Sequence, residues 1–193
     1  FMQNIIIIGS GGHTLSCLDV LVSSKQYSVK GYISEKKNKI LSKKIKWLGN
    51  DSYFKKLNSK DNILIGFANI GKKNLQRRIK IFDLLKKKGC KFPVVKSKYS
   101  YVAKDAKIGD GTIIMHNVVI NINVEIGSNC IINTKSLIEH DTKIGSHTHI
   151  STGAIINGNC KILDKSFVGT GSIIFNNVKC NKKIITAGKI LKK

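Results

Sequence analysis

A chain of 193 residues with 41% hydrophobic content is long enough for one large domain or two small ones, and too apolar for a disordered protein. Its 34 Lys and Arg against 11 Asp and Glu leave a formal net charge of +23. These positive residues are spread over both halves without interleaved aromatics, which argues against a single-strand nucleic-acid binder and fits the Lys-, Asn- and Ile-rich usage of an AT-rich genome; a positive field also suits phosphorylated small molecules.

Phe1 ahead of Met2 reads as an added residue, and the opening lacks the basic segment and cleavage site of a signal peptide. No run of about 18 apolar residues could span a membrane, so a cytoplasmic location is expected. The aliphatic run 5–8 predicts a fully buried strand that ends at Gly9, and a helix follows over about 14–22. Between them lies Gly9-Ser10-Gly11-Gly12-His13, where glycines let the backbone approach an anion at the N-terminus of a helix. The dinucleotide fingerprint would need glycine at position 14, which is threonine; a mononucleotide or the diphosphate of a nucleotide sugar fits better than NAD.

A second strand is predicted over 29–34, and the Glu35 carboxylate after it is placed to meet a ribose hydroxyl. A short helix over 51–57, a strand over 62–67, an amphipathic helix over 74–88 carried by Leu75, Ile79, Phe82 and Leu84 or Leu85, and a last strand over 92–95 complete a small parallel α/β sheet of Rossmann-like type. We place the domain boundary so that residues 1–97 form this nucleotide-binding unit and 98–193 a second one.

From Val102 to Ile174 every sixth residue is aliphatic, and a small or modest side chain precedes each by two positions. A six-residue period fits neither an α-helix nor ordinary strand alternation. It fits a left-handed parallel β-helix of hexapeptide repeats, a triangular prism with six residues per face, here in roughly four coils. Gly109, Gly127, Gly145 and Gly169 follow the aliphatic position and are expected to serve the tight turns. Five cysteines without CxxC spacing argue against disulfides or zinc, and Cys130 and Cys160 fall in the small-residue slot as inert core thiols.

Four of the five histidines, His116, His140, His147 and His149, lie in this coil, outside the inward slots, and are expected at its corners. A coil of this kind resembles those of hexapeptide-type acyltransferases. Moving an acetyl group from a thioester to an amine or hydroxyl needs a base for the acceptor's proton. His140 suits that role, with Asp141 orienting its ring. His147 and His149 form an HxH pair without a third ligand, so no metal is expected.

Taken together, Ile-Ile-Gly-Ser-Gly-Gly-His at 7–13, Asn133-Thr134 leading to Glu139-His140-Asp141, and the segment from His149 to Ala154 resemble bacterial hexapeptide sugar acetyltransferases. That group includes the bacillosamine-pathway and perosamine N-acetyltransferases and the NeuD-type sialic acid O-acetyltransferases. The resemblance implies a homotrimer with active sites between neighbouring coils and acetyl-CoA as co-substrate. It implies His140 as base with Asp141, His149 and the Gly158 N–H on the acetyl-CoA side, and Asn133 near the acceptor. Gly9, Gly11, Gly12, His13 and Glu35 would hold the nucleotide of a nucleotide-linked sugar. The reaction expected is N-acetylation of an amino sugar in bacterial surface-glycan biosynthesis, with O-acetylation of a sialic- or legionaminic-type sugar as the alternative and a non-catalytic scaffold as the rival class. Two departures stand out: one acidic residue after the second strand where the family often has two, and Ala187-Gly188-Lys189-Ile190 without the family's proline.

Overall fold

The computed structural model describes residues 2–180 and 183–192; Phe1 lies outside the described residues. The chain divides after Val95 into two compact units.

In the first unit, β1 (Gln3–Ile8), α1 (Gly12–Ser24), β2 (Tyr27–Ile33), β3 (Trp47–Gly49), β4 (Asn62–Ile65) and α2 (Gly71–Lys87) form a parallel sheet in the order β3-β2-β1-β4. Ile5, Ile6, Ile7 and Ile8 are all buried, because a parallel strand in the middle of such a sheet is covered on both faces. One core joins Ile6, Ile8, Ile33 and Ile65 to Phe82 and Leu85 of α2. The buried residues of α2 are Arg78, Ile81, Phe82 and Leu85; Phe82 and Leu85 were expected, Leu75 and Ile79 are only half-buried, and Leu84 is 45% exposed. Of the strand expected over 92–95 only its end forms, as the two-residue strand Val95–Lys96. Phe92 is buried, but 92–94 are irregular, since Pro93 has no N–H for a ladder.

In the second unit, two-residue strands stack into three parallel sheets of five or six strands, longer than expected. On one face Ile126 pairs with Ile108 and Ile144, on the next Ile132 pairs with Ile114 and Ile150, and on the third Ile138 pairs with Ile120 and Ile156. These residues point inward and all but Ile108, which is half-buried, are buried, while the preceding residue of each pair points outward. The register runs past Ile174 to place Cys180 in the inward slot, after which Val168 pairs with Ile185, one residue short of the repeat. Cys130 and Cys160 are buried as expected, and burial raises the Cys160 thiol.

The glycines after the aliphatic positions do not make the turns. Left-handed backbone falls two residues further on, at Asn123 (φ 57°), Asp141 (φ 61°), His147 (φ 59°) and Gly153 (φ 66°) among others. A Cβ on Gly127 would instead lie 2.5 Å from the backbone N of Ser146 in the next coil, so glycine is required by close approach. Gly127→Ala should cost about 2–3 kcal/mol through overpacking. Gly153→Ala, with open space around its Cβ but a positive φ, should cost about 1–2 kcal/mol. Chemical unfolding of the two variants measures both.

Among the described residues no helix is long and apolar enough to cross a membrane.

Candidate active site

His140 and Asp141 follow the strand Leu137–Ile138 at a corner of the coil. The positive φ of Asp141 turns its carboxylate back along the chain, and His140 Nδ1 lies 2.8 Å from Asp141 Oδ2. Asn123, stacked one coil earlier at the same corner, donates from Nδ2 to Asp141 Oδ1 at 3.1 Å. The bond from His140 first, and that from Asn123 second, hold the Asp141 carboxyl below the usual carboxylate range. Asp141 is therefore an anion suited to accept a proton from Nδ1, and in that tautomer of the neutral ring the lone pair is on Nε2, on the side of Gly158.

Gly158, one coil later, is buried beside this ring, and a Cβ there would sit 2.7 Å from Cε1 and Nε2 of His140. The Gly158 carbonyl accepts from the Asn177 N–H at 3.0 Å. A groove of about 720 Å³, the size of a ligand pocket, is lined by His140, Asp141, Asn123, Lys107, Glu125 and Lys143 among others. Lys107, Lys143, Lys161 and Lys179 form an outward column on the adjoining face, with Glu125 between the first two and 3.3 Å from Lys143.

The Asn133 and His149 pair lies on a different face. His149 is 1% exposed in a strand between Ile131 and Phe167, not at a corner. Its ring meets Phe167 edge-on at 5.2 Å, and Nε2 lies 3.2 Å from Asn133 Nδ2. His116 and His147 serve the coil itself: His116 Nδ1 is 2.6 Å from Ser97 Oγ, and His147 Nδ1 is 3.0 Å from Asn129 Nδ2. Among the described residues no group of three or more His, Cys, Asp or Glu is placed to hold a metal.

In the first unit the glycine turn joins β1 to α1 as expected. Gly9 (φ 131°) packs so closely that a Cβ would lie 2.8 Å from Thr14 Oγ1, whereas the Cβ positions of Gly11 and Gly12 meet nothing within 4 Å. Thr14, in place of the fingerprint's third glycine, is buried and donates to the Gly66 carbonyl at 2.9 Å. The threonine thus ties α1 to the end of β4. Glu35 is exposed just after β2, and Asn38 of the same loop donates to the Ser10 carbonyl at 3.0 Å. Because the strands are parallel, the turn after β1 and the loop after β2 share one edge of the sheet, where ligands bind in such folds.

Arg78 was not singled out by the sequence pattern. It is fully buried, and its guanidinium donates to the carbonyls of Ile65 and Phe67 at 2.7 and 2.9 Å. Burial, and after it the Arg78 charge, push His13 down to about 4. The unfolded chain takes up this proton near pH 6.5, and the folded unit refuses it until about 4. Stability is therefore full above pH 6.5, falls as the pH drops, and levels off below 4. The total loss is about 3 kcal/mol. Urea unfolding across this range should show the fall, and His13→Asn should flatten it. Cys17, also buried, is pushed up to about 12 and offers no nucleophile.

Two family models match the chain. Residues 4–85 match the PglD N-terminal domain, and residues 105–140 match the bacterial transferase hexapeptide (six repeats). Each unit thus carries a match of its own, the first to a PglD-type N-terminal domain and the second to a hexapeptide-repeat model. Solved structures share the fold over the whole chain. The acetyltransferase domain of PglB from Neisseria gonorrhoeae is similar at a TM-score of 0.88 and 21% identity, covering 98% of this chain and 91% of its own. A variant of perosamine N-acetyltransferase from Caulobacter crescentus, solved with CoA and GDP-perosamine, is similar at 0.87 and 19%, covering 100% and 90%. WeeI from Acinetobacter baumannii is similar at 0.73 and 22%, covering 97% and 96%. No curated protein matches by sequence. The resemblance and the fold class read from the sequence are both borne out.

Proposed function

We propose that this protein transfers the acetyl group of acetyl-CoA to the amino group of a nucleotide-linked sugar, as a step in bacterial surface-glycan biosynthesis. The observation that carries the reading is the His140–Asp141 pair, set beside Gly158 on a hexapeptide coil. Acetyl-CoA supplies an activated acyl carbon. His140 Nε2 takes the proton of the attacking amine, the carbon–nitrogen bond forms as the carbon–sulfur bond breaks, and the proton leaves with the thiol. Asp141 holds the ring in the productive tautomer and favours its cationic form. The Gly158 N–H is assigned to the thioester carbonyl oxygen, where negative charge gathers.

Asn133 and His149 are assigned to the acceptor and acetyl-CoA sides respectively. The nucleotide is assigned to Gly9, Gly11, Gly12, His13 and Glu35. The relatives lend support: the PglB domain was solved with acetyl coenzyme A, and PerB of C. crescentus with CoA and GDP-perosamine. The lysine column beside the groove favours such phosphate-bearing ligands over neutral ones. A homotrimer and a cytoplasmic location complete the proposal. The test is a thiol-release assay with acetyl-CoA against UDP-, GDP- and dTDP-amino sugars, with free sialic-type sugars alongside. Turnover is expected on an amino sugar. Turnover only on a free sialic-type sugar would replace the reading with O-acetylation.

A further inference from the structure

We propose that Asn123 is a positioning residue for the His140–Asp141 pair: its side-chain amide holds one oxygen of Asp141 so that the other faces Nδ1 of His140. The proposal rests on the acetyl-transfer reading for its consequence, but not for its geometry.

The Asp141 carboxylate is half-exposed and bonded to a half-exposed ring, so burial does not fix the orientation of the carboxylate. An unsupported carboxylate in water samples several rotamers and offers its oxygens to solvent. Asn123 removes that freedom. Its Nδ2 donates to Oδ1 at 3.1 Å while Oδ2 lies 2.8 Å from His140 Nδ1, so the two oxygens have separate partners. Asn123 is itself fixed: its backbone N–H donates to Asp105 Oδ2 at 2.8 Å, and its φ of 57° belongs to the corner geometry. The chain of contacts runs Asp105, Asn123, Asp141, His140 along one corner, with all four residues lining the same groove.

Stacked side chains at this corner also bond where no histidine is involved, as Asn159 Nδ2 does to Asn177 Oδ1 at 2.8 Å. A test must therefore separate positioning from plain stacking of the coil. Asn123→Gly does so, because glycine accepts the positive φ and deletes only the amide. Three quantities are read: the Nδ1–H to Nε2–H ratio of His140 from imidazole ¹⁵N shifts, kcat with KM for acetyl-CoA, and the thermal midpoint. Asp141→Asn serves as the reference for a lost carboxylate.

Asn123→Gly is expected to move the tautomer ratio toward the Asp141→Asn value and to lower kcat about tenfold, with KM for acetyl-CoA unchanged. Asn123→Asp keeps the turn but sets a second anion against Asp141, and should lower kcat further; it also carries the test should the glycine variant fail to fold. A wild-type tautomer ratio in the folded variants, or a kcat that follows only the thermal midpoint, would overturn the proposal. Because the tautomer ratio needs no substrate, it stands or falls separately from the acetyl-transfer reading.

Discussion

Replacing His140 with alanine is expected to lower kcat for acetyl transfer by about 10²–10⁴-fold, the usual worth of a positioned general base. The ring is half-exposed and packs into no core, so the coil should keep its stability. The loss is therefore a loss of chemistry, read as a fall in kcat at a thermal midpoint close to the wild type. Asp141→Asn should lower activity less, because the ring remains but its Nδ1 faces an amide in place of an anion. Retained turnover in the alanine variant would remove His140 from the mechanism as written.

Gly158→Ala is expected to be nearly as severe, from the addition of a single methyl group. Gly158 has an ordinary backbone conformation, so alanine brings no turn penalty, yet its Cβ would lie 2.7 Å from Cε1 and Nε2 of His140. The ring is the softer partner, being half-exposed, and should swing away from its bond to Asp141. Displacement of a catalytic group by about 1 Å costs on the order of 10²-fold. The same methyl group also crowds the N–H assigned to the thioester carbonyl. We expect kcat to fall about 10²-fold or more while the fold is kept, as measured by thiol release alongside thermal unfolding. Wild-type turnover in a folded Gly158→Ala variant would mean that this face of the ring is not used.

The coil could be read from the sequence because its period is local: six residues set each face, and the aliphatic slot recurs without insertion from Val102 to Ile174. The role of its glycines could not, because what a Cβ on Gly127 would strike is Ser146, in the next coil. The same eighteen-residue stacking that places Asn123 beneath Asp141 lies in that register, and aligning the coils rather than the faces would have found it. In the first unit, hydrophobic periodicity pointed to Leu75, Ile79, Phe82 and Leu84 or Leu85 as the buried stripe of α2; Phe82 and Leu85 are buried, but Leu75 and Ile79 are only half-buried and Arg78 is buried in full. An arginine that satisfies its guanidinium on two carbonyls at the end of β4 has no apolar signature to read. His149 was expected at a corner and sits in a strand, because the pattern tells inward from not inward, but not strand from turn.

The claim that the protein acetylates an amine on a nucleotide-linked sugar is tested most directly by the product itself. The amino-sugar panel is incubated with acetyl-CoA, and the nucleotide sugar is recovered, weighed by mass spectrometry and treated with hydroxylamine, which cleaves acetyl esters and spares amides. The account predicts one acetyl group on a nucleotide-linked amino sugar, stable to hydroxylamine and absent with His140→Ala. An acetyl group lost to hydroxylamine, or one found only on a sugar without a nucleotide, would contradict it.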